Sequence, residues 1–219
     1  MLLEKLLRPL LGRKSLYWFY WRLYKLALLG MNAGMGGDVN ASGENNVLFR
    51  VRDNASGSQP ITIFDVGANK GQYSSNILRV LSDRETEIHC FEPGHETFRE
   101  LSSSLGGREN VTLNNFGLSD KKSEGTLWYD KTGSGLASLY KRQLDYFGID
   151  FEHSETVKLD TLDSYIAAKN VGTIDLLKID VEGNELNVLN GAEKALAEIK
   201  KYDERIEIFT CTNFYFELR

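Results

Sequence analysis

The stretch that most constrains the fold is ITIFDVGANKGQYS, residues 61–74. Its apolar run reads as a buried strand carrying Asp65 near its end. Two glycines four apart, Gly67 and Gly71, follow before a helical pattern begins. A strand that opens through a glycine turn into a helix is half of a βα unit, and the chain repeats that rhythm. Tyr73, Ile77 and Val80/Leu81 share one helical face, EIHCFEP is a second strand stopped by Pro93, HETFRELSSSL is a second helix, and VTLNNFGLSD is a third strand. Such alternation predicts an α/β fold with a doubly wound parallel sheet and right-handed crossovers. Between Lys121 and Leu159 the rhythm breaks. EGTLWYD, GLASLY and ETVKLD are strand-like and set apart by glycine and charge, which predicts hairpins or an excursion beside the sheet. TLDSYIAAKN then resumes a helix with Thr161 as its N-cap, TIDLLKIDVEG is the next buried strand, ELNVLNGAEKALAEIKK is helix, and RIEIFTCT a final strand.

Before this alternation lie two segments of different character. Residues 31–46 are rich in Gly, Asn and Ser and read as a loop, and VLFRVRDNASGSQ as a short strand and turn. Residues 1–30 carry six basic side chains against one acid, Glu4, and their longest uncharged run is residues 15–21, far short of the ~20 residues a membrane span needs. Basic residues interrupt every apolar stretch, which argues against a signal peptide. Leu16, Phe19, Tyr20, Leu23, Leu26 and Ala27 fall at helical spacing. Two readings stand: a lead-in helix packed on the domain or a partner, and a membrane-surface helix. The expected organisation is a helical lead over residues 1–34 and one domain over residues 35–219.

The net charge of −5 gives a nucleic-acid partner no support. Cys90 and Cys211 lie far apart with no CxxC or Cys/His cluster, so both are expected as small buried hydrophobes and no metal site is expected. That usage points to a reducing compartment, the cytoplasm, with a membrane-peripheral position open through the N-terminal helix.

The ligand of the glycine turn follows from charge. Positions 67–72 read G-A-N-K-G-Q, which fits neither the dinucleotide fingerprint GxGxxG nor the phosphate loop GxxxxGK[ST]. Asp65 closes the first strand and Glu92 closes the second, 27 residues on, and in a doubly wound sheet both face the crevice at the carboxyl ends of the strands. Two acids framing the turn would repel a polyphosphate and suit a nucleoside with a cationic tail, as in S-adenosyl-L-methionine. The competing reading makes Asp65 a cap for the turn and Glu92 an exposed residue before Pro93.

FDVGANKGQYS, FEPGHETFREL, NNFGLSD, TLDSY and LKIDVEGNELNVLNGAEKAL, in that order, resemble the FkbM family of S-adenosyl-L-methionine-dependent methyltransferases over roughly residues 35–200. The resemblance implies a Rossmann-like class I methyltransferase sheet in the order 3-2-1-4-5 and O-methylation of natural products or sugars, so the partner is a small-molecule or glycan hydroxyl acceptor. It places Asp65, Gly67, Asn69 and Gly71 on the methionine side of the donor, Glu92 on the ribose, and the turn Asn115, Phe116, Gly117 by the adenine.

The strand end LLKIDVEGNE holds the second constellation. Strand periodicity puts Lys178 and Asp180 on one face, Glu182 follows at the mouth, and Gly183 lets the chain turn away. Transfer to a hydroxyl needs a base; Asp180 is the first candidate and Glu182 the second, and either could help to bind a divalent cation instead. The alternative is a Lys178–Asp180 ion pair with Glu182 capping the next helix. His89 reads as a core residue, His95 as a helix-opening residue, and His153 as part of the excursion. The family pattern continues past the fifth strand with an antiparallel pair, whereas this chain stops at Arg219. The expectation is therefore a shortened sheet with Ile206, Ile208, Phe209, Phe214 and Phe216 covered by a partner chain in an oligomer or by the N-terminal helix. The competing functional class is a non-catalytic remnant or interaction domain that keeps the fold.

Overall fold

The computed structural model describes residues 13–30, 44–55, 59–142, 148–197 and 214–216. Strands β1 (Ile61–Val66), β2 (Thr86–Phe91) and β3 (Val111–Asn114) pair in parallel, joined by helices α3 (Gln72–Val80) and α4 (His95–Leu105). Helices α1 (Tyr17–Gly30) and α2 (Glu44–Asn54) precede them. The chain then runs through β4 (Gly117–Leu118), β5 (Ser123–Tyr129), β6 (His153–Asp160), α5 (Leu162–Lys169) and β7 (Leu176–Ile179). Two short helices, α6 (Glu185–Asn190) and α7 (Glu193–Ala197), and an edge strand β8 (Phe214–Phe216) complete it. The main sheet has the order β3-β2-β1-β7-β8, the doubly wound arrangement expected, with its switch point between β1 and β7.

Both faces of the sheet are covered, and strand alternation divides the core in two. Ile61, Ile63, Ile88, Cys90 and Leu176 face the layer of α2, α3 and α4, where Leu48, Ile77, Leu101 and Leu105 meet them. Phe64, Val66, Phe91, Leu177 and Ile179 face the other layer, with Leu162, Tyr165 and Val188. Burying a side chain such as Ile63 or Leu177, both 0% exposed, is worth about 1.5–3 kcal/mol each, so this double face is the main source of cohesion. His89 lies in that core, its Nδ1 2.8 Å from the Tyr165 hydroxyl, and burial lowers its pKa. Cys90 is buried, and burial pushes its thiol up to about 12, so it is inert. Cys211 lies outside the described residues.

Three expectations change. The stretch from Glu44 to Asn54 is helix, not loop and strand: Val47, Leu48 and Val51 are buried at helical spacing while Phe49 is 40% exposed, and strand alternation would have put Phe49 with Val47 and Val51. The excursion forms a second sheet, β4-β6-β5, but GLASLY adds no strand to it; Ser138 makes only an isolated bridge with Trp128. The helix after Gly183 is broken in two at Gly191, whose missing Cβ leaves room for the Ser119 carbonyl, 2.0 Å from where a Cβ would stand. The final strand expected at residues 205–212 lies outside the described residues; the strand described beside β7 is Phe214–Phe216, running antiparallel. Thr161 caps α5 as expected, its Oγ1 accepting from the Ser164 N–H at 3.1 Å.

Candidate functional site

The parallel register sets Asp65 directly beside Cys90 on one neighbour and Lys178 on the other. Asp65, Lys178, Glu92 and Asp180 keep the parity of Ile63, Leu176 and Cys90, so they emerge on the α3 side at the carboxyl ends of three adjacent strands. Asp65 is fully buried. Its Oδ2 accepts from the Ser74 hydroxyl at 2.6 Å and its Oδ1 pairs with the Lys178 ammonium at 2.9 Å. Lys178 also donates to the Gly67 carbonyl at 2.9 Å, lies 3.9 Å from Asp180, and sits over the Tyr73 ring. The lysine thus ties the glycine turn to the end of β7, and its nearer partner is Asp65 rather than the expected Asp180.

Both glycines have positive φ, and both make room for protein. A Cβ on Gly67 would stand 1.9 Å from the Asp180 carbonyl oxygen, and one on Gly71 would stand 2.8 Å from both Leu101 and Leu105. Asn69 occupies the left-handed region at φ 49° between them. Its backbone N–H donates to Glu92 Oε2 at 3.0 Å, while Glu92 Oε1 accepts from the Gly94 N–H at 2.9 Å. Glu92 is therefore no exposed strand end. Burial pushes its carboxyl up to about 7, opposed by those two backbone donors and by Lys178.

A cavity opens above these strand ends. Gly67, Asn69, Glu92, Gly117, Asp180 and Glu182 line it, with apolar walls from Phe91, Leu118, Leu127, Leu139, Leu159 and Val181. Six of the ten residues expected at the site thus meet at one cavity. The other four do not reach its lining. Asp65 is under the turn, and Gly71 packs against α4. Asn115 donates to the Glu92 and Pro93 carbonyls at 3.0 and 3.2 Å, and the Phe116 ring packs edge-on against Phe91. These four shape the site from behind.

Asp180 and Glu182 have different surroundings. Burial raises the Asp180 carboxyl to about 6; Lys178 lowers it, and Glu182 and Asp65 oppose that. Glu182, at φ 55°, pairs with the Arg142 guanidinium at 2.7 Å, and its carbonyl accepts from the Ser138 hydroxyl. Its carboxylate is engaged by Arg142, whereas Asp180 lies beside Lys178 at 3.9 Å. Glu182 does not cap the following helix, which has no side-chain cap; Glu185 Oε1 instead accepts from the Val181 and Gly183 N–H groups of the preceding loop. Arg142 was not singled out by sequence because its partner is 40 residues away; a lone basic residue in an irregular segment carries no local signal. Together with Ser138 it pins residues 134–142 over the cavity, where Ser134, Gly135, Ala137 and Leu139 supply wall. His95 bonds the Glu155 carboxylate and His153 stacks on Tyr129, both outside the cavity lining. Among the described residues no group of three His, Cys, Asp or Glu side chains is placed to hold a metal ion.

The family model described as methyltransferase FkbM domain matches residues 65–211, well over half of the chain. The hexuronic acid methyltransferase AglP of Haloferax volcanii is 25% identical over 158 residues, covering 72% of this chain and 59% of that protein. The 2-O-methyltransferase NoeI of Sinorhizobium fredii is 23% identical over 148 residues, covering 63% of this chain and 60% of the relative. The chain therefore spans about 60% of the length of the curated relatives it matches. The crystal structure of methyltransferase FkbM from Methylobacillus flagellatus aligns at a TM-score of 0.44 and 15% identity, over 73% of this chain and 39% of that one. On the strength of the family match, the chain belongs to the FkbM methyltransferase domain family.

Proposed function

We propose that the chain is an S-adenosyl-L-methionine-dependent methyltransferase acting on a hydroxyl of a sugar or another small molecule. The observation that carries this reading is the Glu92 carboxylate. It lies in the cavity wall at the carboxyl end of β2, held by two backbone N–H groups and still able to accept hydrogen bonds from a pair of ribose hydroxyls. The side-chain oxygen of Asn69 is a buried acceptor with no hydrogen-bond partner among the described residues, and Asn69 lines the same cavity. Two acceptors beside a turn with no phosphate-binding lysine suit a ligand with hydroxyl and ammonium donors. When bound, such a donor supplies a methyl group on a positively charged sulfur.

The protein's part is then positioning and proton transfer. Glu92 and Asn69 orient the nucleoside, while Asp65, through Ser74 and Lys178, holds the turn in place. Asp180 shares the cavity with them and takes the proton of the acceptor hydroxyl as its oxygen becomes nucleophilic. A carboxyl raised to about 6 is ionised at neutral pH yet more basic than an exposed aspartate. The names of the two relatives, a hexuronic acid methyltransferase and a 2-O-methyltransferase, support a sugar hydroxyl as acceptor. Isothermal calorimetry with S-adenosylhomocysteine tests the reading. Binding that weakens in Glu92→Ala is expected, and no binding by a folded sample refutes it in favour of a fold kept without catalysis.

A further inference from the structure

Helix α1 is an unusual element to leave in water. No side chain from Tyr17 to Ala27 is buried. Trp18 is 62% exposed, Leu26 64%, Tyr24 53% and Trp21 46%. Helical spacing puts Lys14, Trp18, Arg22 and Lys25 along one stripe, with tyrosine, phenylalanine and leucine around the rest of the circumference. The cations rest on the indoles: the Arg22 guanidinium is 4.3 Å from the centre of the Trp18 ring, and the Lys25 ammonium 5.1 Å from that of Trp21.

We infer that α1 docks the protein on the surface of an anionic lipid bilayer. Tryptophan and tyrosine concentrate at the membrane–water interface because they join a large apolar body to one polar atom, and basic side chains reach from there to the headgroups. The charge is complementary. Residues 13–30 carry four basic side chains and no acid in a chain whose net charge is −5, so an anionic surface attracts the helix and repels the acidic domain. The fourteen residues of α1 span about 21 Å, short of a hydrocarbon core of about 30 Å, and no described helix is long and apolar enough to cross one. The helix therefore lies in the interface. A protein groove would take one apolar stripe, whereas aromatic rings here surround the helix.

Flotation of the full chain with phosphatidylcholine vesicles, with and without phosphatidylglycerol, tests this. Binding only to the anionic vesicles is expected, and it should weaken with salt. Each basic side chain near such a surface contributes about fivefold, so Arg22→Glu with Lys25→Glu should lower partitioning by about 25-fold or more. Trp18→Ser with Trp21→Ser should lower it as well, while circular dichroism and the urea midpoint stay unchanged because neither pair is buried. The inference is overturned if the folded chain ignores anionic vesicles or if the charge-reversed variant binds equally. It is also overturned by a concentration-dependent dimer, lost in the tryptophan variant, that forms without vesicle binding.

Discussion

Replacing Lys178 by methionine isolates the contact that holds the site together. Lys178 is 4% exposed, and its ammonium pairs with a fully buried Asp65 at 2.9 Å and donates to the Gly67 carbonyl at 2.9 Å. Methionine keeps most of the side chain's volume, so packing changes little and the loss is electrostatic. Asp65 would then keep the Ser74 hydroxyl but lose the cation at van der Waals range. Removing one partner of a buried pair costs about 3–5 kcal/mol, because the surviving charge stays buried and uncompensated. Against a total stability of about 5–15 kcal/mol, that is a large share. At roughly 2–4 °C per kcal/mol for a chain of this size, the melting temperature should fall by about 6–20 °C. Urea denaturation of wild type, Lys178→Met, Asp65→Asn and the double variant closes a thermodynamic cycle. The double variant should be more stable than Lys178→Met alone, since it removes the stranded charge. A loss below about 1 kcal/mol in Lys178→Met, or strict additivity in the double variant, would refute the pairing as the organiser of the turn.

The other expectations follow from the same structure. Gly67→Ala, which forces a Cβ to within 1.9 Å of the Asp180 carbonyl, should abolish soluble folded protein or donor binding; Gly107→Ala, at φ 81° with no atom within 4 Å, should cost only about 1–2 kcal/mol, and equal urea midpoints would contradict the packing argument. Asp180→Asn should leave S-adenosylhomocysteine affinity intact while lowering turnover about 10²–10⁴-fold, and unchanged turnover removes it as the base. Glu92 and Asp180 have carboxyls raised to about 7 and about 6, so the folded state holds more protons than the unfolded one between about pH 4 and pH 7, and their contribution to stability falls as pH rises through that window. Glu92→Gln should flatten that fall, read as urea midpoints at about pH 5 and about pH 8. Arg142→Gln should leave the melting temperature nearly unchanged but speed tryptic cleavage at Lys131 and Lys141, because it removes the tie from residues 134–142 to Glu182.

Most of the fold was legible because parallel strands buried on both faces leave continuous apolar runs, and the turns between them carry glycine and proline. What sequence could not supply was register and long-range pairing. Asp65 and Lys178 are neighbours only because Phe64 aligns with Leu177, which no local pattern encodes. Arg142 reaches Glu182 across 40 residues of irregular chain. Helix α2 is hidden from sequence because Val47, Phe49 and Val51 alternate like a strand; the deciding fact is that Leu48 between them is 0% exposed. At the site, sequence ranks Asp180 before Glu182 but does not show their different partners. The left-handed backbone at Glu182 turns its carboxylate toward Arg142 and leaves Asp180 at the cavity.

In the proposed function the turn takes a cationic donor, and the glycines are not what would select it. Gly67 is required by the Asp180 carbonyl and Gly71 by Leu101 and Leu105, so neither says anything about the sign of a ligand. The sign is set by how one lysine is shared among three acids. Lys178 is 2.9 Å from Asp65 and 3.9 Å from Asp180, so its charge is matched chiefly below the turn, away from the cavity. Glu92 and Asp180 face the cavity with burial as their dominant influence, which raises both carboxyls, Glu92 to about 7 and Asp180 to about 6. A polyphosphate brought to that wall would raise both carboxyls further and meet no free lysine in the turn, since Lys70 is paired with Glu100 at 3.0 Å. A cation brought there would favour both carboxylates and offset part of their desolvation. The acids that would repel a phosphate are thus what the proposed function takes as the recognition element for a positively charged donor.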